Sequence, residues 1–154
     1  MKKMLTITAI AGLMVSMSFA NWTEGTKSFG GGFSWTSSTP EGGDAVTNMS
    51  IAPSLGYFWM DNVSANFTLN YSKAGENDAT TAWLVGANYY MNEWYAGAHY
   101  GSAGESMNYM RFGGGYMYGL SDGIYLDTGF TYDMGMGDYK VNTMQIKVGV
   151  STYF

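Results

Sequence analysis

The side chains that could do chemistry are few. His99 is the sole histidine and the chain has no cysteine, so neither a multi-histidine nor a thiolate metal site can form. As a catalytic base His99 would need a nucleophile such as Ser102 or Ser106 and an orienting acid such as Glu105. Ser102 stands three residues on, which in a strand turns it to the opposite face. No catalytic centre, cofactor or metal is expected, and the chain reads as a non-enzyme. Arg111, Lys147, Asp127 and Asp133 have the signs to pair in a shielded space, where charge must be paired or hydrated. With His99 they form the expected polar network. The acids Glu41, Asp44, Glu76, Asp78, Glu105 and Asp138 lack the spacing of a calcium loop and read as a solvated rim. The runs Gly30-Gly31-Gly32 and Gly113-Gly114-Gly115 have no helix after them, so strand curvature and close approach explain them better than phosphate binding.

The elements that must position these residues are strands. From Asn48 to Trp59 the odd positions are Met49, Ile51, Pro53, Leu55, Tyr57 and Trp59. The even ones are small or polar until Phe58. Val63, Ala65, Phe67, Leu69 and Tyr71 then alternate with Ser64, Asn66, Thr68, Asn70 and Ser72. The same period of two recurs over 27–36, 82–91, 94–101, 108–120, 124–133 and 141–154, which predicts about eight strands, many near the length that crosses a bilayer. On this phase Asn66, Asn70, Asn88, Tyr95, His99, Arg111, Tyr125, Asp127, Asp133, Gln145 and Lys147 share the inward face. Gly56, Gly86, Gly97, Gly113, Gly115 and Gly149 also point inward, and are expected to leave room for water.

The breaks alternate in length. Met60-Asp61-Asn62, Asn92-Glu93 and Ser121-Asp122-Gly123 are tight. Ser37 to Asp44, Lys73 to Thr81, Ser102 to Met107 and Met134 to Lys140 are longer and polar. Short turns at one rim and longer loops at the other suit an outer-membrane barrel, with apolar side chains toward lipid and polar ones in the lumen. Trp35, Tyr71, Trp83, Tyr100 and Tyr132 fall near the long-loop ends, and Tyr57, Trp59, Tyr89, Trp94, Tyr118 and Phe154 near the tight-turn ends. Two such rings suit the two membrane–water interfaces. A soluble, lipocalin-like barrel is the fold-level alternative. It would put Arg111, Asp127 and Lys147 on the outside.

Composition agrees with export to a membrane. Charged residues make up 12% and aromatics 17% of 154 residues, against about 25% charged in an average soluble domain. Residues 1–20 read as a cleaved signal peptide: Lys2 and Lys3, then an apolar run from Met4 to Met17, then Ser18-Phe19-Ala20 as a small-x-small site. The remainder, 21–154, is one domain, expected in a bacterial outer membrane. Lys2 and Lys3 leave with the leader, so the remainder is more acidic than the whole-chain charge of −5. No basic stripe exists to bind nucleic acid.

Three stretches carry a resemblance. Pro53-Ser54-Leu55-Gly56-Tyr57-Phe58-Trp59-Met60-Asp61-Asn62-Val63 looks like the strand–turn–strand signature of small outer-membrane β-barrels of the OmpX-like and OmpA-transmembrane-like groups. Gly113 to Tyr116 with Leu120 to Leu126 is a second copy of that style. The ending Val148-Gly149-Val150-Ser151-Thr152-Tyr153-Phe154 resembles their C-terminal assembly signal, with Val148, Val150 and Phe154 as its apolar residues. The resemblance implies a closed antiparallel up-and-down barrel, contact with outer-membrane lipid, and handling by the barrel assembly machinery. It does not carry a function, because such folds host many. A structural or surface-interaction (adhesin-like) barrel with a polar plugged lumen is the first expectation. A narrow channel for ions or small solutes is the second. A lipid-modifying enzyme is disfavoured, and the loop partner is not named by the sequence.

Overall fold

The computed structural model describes residues 22–38, 46–74, 79–104, 107–136 and 142–154, with the backbone alone for 34–38, 46–48 and 74. The expected leader (1–20) and most of the long-loop residues, Glu41, Asp44, Glu76, Asp78, Glu105, Ser106 and Asp138 among them, lie outside the described residues, as does the Trp35 side chain. Eight antiparallel strands follow one another: β1 Lys27–Ser38, β2 Val46–Met60, β3 Val63–Ala74, β4 Thr80–Met91, β5 Trp94–Ala103, β6 Met107–Ser121, β7 Ile124–Met136 and β8 Asn142–Tyr153. Each pairs with its sequence neighbours, and β8 returns to β1, closing the barrel. Several strands run two or more residues further toward the long-loop rim than alternation alone marked, β1 to Ser38 and β2 back to Val46 among them. Backbone pairing continues there after the apolar pattern fades.

Short turns set the register. Asp61-Asn62, Asn92-Glu93 and Asp122-Gly123 join the strands at one rim. Asn62 (φ 65°), Asn92 (φ 56°) and Gly123 (φ 72°) take the left-handed conformation that asparagine and glycine tolerate best. The register shifts by one residue just before two of these turns, between Phe58 and Met60 and between Gly119 and Ser121. Such a bulge beside a left-handed residue is a standard three-residue hairpin solution. Pro53 lies within β2, opposite Gly31 of β1. The β2–β3 ladder is interrupted beside it, between Ile51↔Tyr71 and Ser54↔Thr68, because proline has no N–H to donate.

The seam between the first and last strands is shorter than the other seven. β1 and β8 pair from Ser28↔Tyr153 to Gly32↔Gly149. Below this the Lys27 and Phe154 backbones exchange hydrogen bonds of 2.8 and 3.0 Å. Above it β1 continues to Ser38 and β8 comes down from Asn142, with no pairing between them among the described residues.

The faces are partitioned with apolar residues outward. Ile51, Leu55, Phe67, Leu69, Val85, Phe112, Phe130, Ile146, Val148 and Val150 are all exposed. So are Tyr57, Trp59, Tyr71, Trp83, Tyr89, Trp94, Tyr100 and Phe154. Arg111, Asp127, Asp133 and Lys147 lie inside. This overturns the soluble lipocalin-like alternative, which needs the opposite partition. No helix among the described residues is long and apolar enough to cross a membrane.

Candidate functional site

The lumen has two layers, and cross-strand register builds both. One lateral row runs His99 (β5), Arg111 (β6), Asp133 (β7) and Thr143 (β8). Direct neighbours on one face of a sheet touch. Arg111 therefore meets Asp133 with both ends of its guanidinium, Nε to Oδ1 at 2.6 Å and Nη2 to Oδ2 at 2.7 Å. The two-point fit makes this a strong, oriented ion pair. The guanidinium also stands 5.7 Å from the Tyr109 ring centroid.

A second row runs Tyr95 (β5), Gly115 (β6), Gly129 (β7) and Lys147 (β8). The two glycines have no side chain, so the Tyr95 ring lies across them. A Cβ added at Gly115 would stand 2.7 Å from the Tyr95 hydroxyl, and one at Gly129 would stand 2.9 Å from it. The hydroxyl donates to Asp127 Oδ1 (2.7 Å) and accepts from Lys147 Nζ (3.1 Å). Lys147 Nζ also pairs with Asp127 Oδ2 at 2.6 Å. The expected charged residues thus sort into Arg111–Asp133 and a Lys147–Asp127–Tyr95 triad. The space at Gly115 is filled by the Tyr95 ring, that at Gly97 by Asn88, and that at Gly56 is bounded by Ser28 and Asn66. The expectation that the inward glycines leave room for water is therefore corrected at these positions.

Below these rows sits an aromatic floor that the sequence did not announce. Trp22 precedes β1 and is 4% exposed. Its ring stacks on Phe58 (5.7 Å, 5°) and meets Tyr90 (4.6 Å), Tyr153 (4.8 Å) and Tyr125 (5.4 Å). Tyr95 and Met117 complete the cluster, so β2 and β4 through β8 each contribute. Turn backbones hold Trp22 in place. Its indole N–H donates to Asn92 O (2.5 Å), and its carbonyl accepts from Asn62 N (2.8 Å). Gly25 N–H reaches Phe58 O at 2.8 Å, and Glu24 N–H reaches Asp61 Oδ1 at 2.9 Å.

Above the floor the wall is lopsided. β5 to β8 carry Tyr95, Arg111, Asp127 and Lys147. β1 to β3 carry Ser28, Ser50, Ser54, Thr68 and Asn70, which are short, and β4 adds Leu84 and Asn88. The space left is a cavity of about 350 Å³, near the lower end of ligand pockets, about 300–1,000 Å³. Asn88 Oδ1 and Thr131 Oγ1 are buried with no hydrogen-bond partner. A further 260 Å³ space lies toward the long-loop rim, bordered by Tyr109, Arg111 and Asp133.

The catalytic arrangement weighed at His99 does not assemble among the described residues. His99 is inward beside Arg111, whereas Ser102 pairs with the outward Trp83. Among the described residues no cluster of His, Asp or Glu could hold a metal ion. At the C-terminus Val148 and Val150 are exposed on the outer face, and Phe154 ends the chain against Lys27.

Phe58, Tyr90, Met117 and Tyr153 all sit at the inward phase of their strands, at the tight-turn end. That phase was the signal that could have found them. Trp22 lies before the first strand and has no phase to read.

No protein family matches the sequence, and no curated protein does. Among solved structures the chain is similar to the outer membrane protein AlkL, determined by solid-state NMR in DMPC bilayers. The identity is 13%, the match spans 91% of this chain and 95% of that one, and the TM-score is 0.48. The eight-strand closure described above rests on this chain's own pairing.

Proposed function

We propose that the chain is an integral outer-membrane β-barrel of the small OmpX-like kind. In this reading residues 1–20 are a cleaved leader, the barrel assembly machinery recognises the Val148–Phe154 ending, and the protein is not an enzyme. Its role is structural or surface-interacting, exerted through the four long loops, with a lumen that does not conduct. The observation that carries the membrane part is the inverted partition: an apolar exterior around an ion-paired interior. In water such an exterior would far exceed the few hundred Å² of contiguous apolar patch usual on a monomer. In hydrocarbon it is the required surface.

The second reading, a narrow channel, draws on the 350 Å³ cavity. The floor around Trp22 argues against it, because a water path would have to pass a packed ring of aromatics.

The test is envelope fractionation of cells expressing the full chain, with protease added to intact cells. The expected result is a heat-modifiable protein in the outer-membrane fraction, cut only within 39–45, 75–79, 104–106 or 137–141. A soluble periplasmic protein would refute the reading.

A further inference from the structure

The upper half of the β1–β8 seam has a chemical problem. Backbone N–H and C=O groups facing hydrocarbon must be satisfied, so open sheet edges do not face lipid unless they border a polar, water-accessible space. Here the edges of β1 above Gly32 and of β8 above Gly149 do border such a space. Phe33, Ile146 and Val148 belong by phase to the outer face, yet they also line the central cavity. Their neighbour Gln145 is inward by phase, lines the same cavity, and is nevertheless exposed. Ile146 is 82% exposed and Met144 68%, the highest values on the outer face apart from Phe154. β7 pairs with them on one side, and on the β1 side no strand pairs with them among the described residues.

One side of this opening is apolar and the other is polar. The rim offers Phe33, Met144, Ile146 and Val148. The interior offers hydroxyls and amides from Ser50, Asn70 and Gln145, with the Lys147–Asp127 pair behind them. Both charges of each lumen pair are neutralised locally, so the interior favours a group that is polar but without net charge. A free solute would have no use for an apolar rim. A pure hydrocarbon would have no use for the interior.

We propose that the β1–β8 opening is a lateral binding site for a bilayer amphiphile with a zwitterionic head. The head enters the lumen cavity, where its phosphate oxygens accept hydrogen bonds from the side-chain amides of Asn70 and Gln145. The tail stays in the bilayer against Met144 and Ile146. Phosphate and ester oxygens of the head accept from unpaired N–H groups of the two edges, and water in the cavity serves the unpaired C=O groups. The proposal rests on the membrane-embedded reading above.

The test uses the full chain expressed with its own leader, extracted from the envelope into nanodiscs of dimyristoyl phosphatidylcholine. The readout is magnetisation transfer between choline methyl protons and the Asn70 and Gln145 side-chain amides. The variant Phe33→Cys/Val148→Cys, in a protein with no cysteine, places one disulfide across the first unpaired rung and leaves the polar side chains of Asn70 and Gln145 in place. Phe29→Cys/Thr152→Cys, within the paired half, is the control. Transfer is expected in the unmodified protein and the control. It is expected to vanish when the seam disulfide forms and to return on reduction. No transfer in the folded, inserted protein overturns the proposal. So does transfer that survives the seam disulfide, or equal transfer from tailless glycerophosphocholine, either of which means entry from the loop end. A disulfide formed between two chains overturns it in favour of a seam that pairs copies. Failure to insert at all would count against the membrane reading instead.

Discussion

Tyr95 on β5 and Lys147 on β8 occupy one lateral row of the barrel, with only Gly115 and Gly129 between them. Because those two positions lack side chains, the tyrosine spans the wall of two intervening strands. Its hydroxyl then joins both members of the Lys147–Asp127 pair. A tyrosine, a lysine and two glycines far apart in the sequence act as one unit.

That unit predicts an ordering of losses. Tyr95→Phe keeps the ring and removes the hydroxyl, which should cost about 1–3 kcal/mol, since the buried Asp127 loses a charge-assisted bond. Gly129→Leu puts a side chain where the ring lies and should cost more, with the triad broken as well. Urea midpoints of the protein in lipid, followed by heat-modifiable gel mobility, give both numbers. Equal stability of the two variants would mean that the ring does not occupy the glycine row.

Arg111 and Asp133 should behave as a coupled pair. Arg111→Ala leaves a buried carboxylate alone and should destabilise by about 3–5 kcal/mol, as should Asp133→Ala in reverse. Arg111→Met combined with Asp133→Leu removes both charges and should be less damaging than either single truncation. A double-mutant cycle of Arg111→Ala, Asp133→Ala and the two combined, on the urea midpoints, reads the coupling. Strictly additive losses would show that the bidentate contact contributes nothing.

Phe154 has two roles in this account. Its side chain ends the expected assembly signal, and its backbone closes the ring against Lys27. Deletion of Phe154 should leave export intact and lower the amount of folded, membrane-inserted protein, measured by fractionation and gel shift. Normal levels of inserted barrel would contradict the outer-membrane assembly route.

Much of the fold was legible because a strand has a period of two and lipid and lumen differ sharply in polarity. Segments such as 63–72 declare both faces, and Asp61-Asn62 and Asp122-Gly123 declare their turns. The inward placement of Arg111, Asp127, Asp133 and Lys147 followed from the same phase. Which cation meets which acid did not, because it depends on register across strands. The floor was hidden for two reasons. Phe58, Tyr90 and Tyr153 break the polar rule of the inner face, and Trp22 is positioned by the turns at Asn62 and Asn92 rather than by any strand. The short β1–β8 seam has no sequence signature at all, since β1 and the upper half of β8 alternate like the strands that pair fully.

The most direct test of the closed lumen is single-channel conductance across a planar bilayer, comparing the envelope-extracted protein with its Trp22→Gly variant, each shown to be folded by gel shift. The unaltered protein should be silent, and Trp22→Gly, which opens the centre of the aromatic floor, should give measurable steps or a raised leak. Discrete conductance steps from the unaltered protein would contradict the closed lumen and make the barrel a channel.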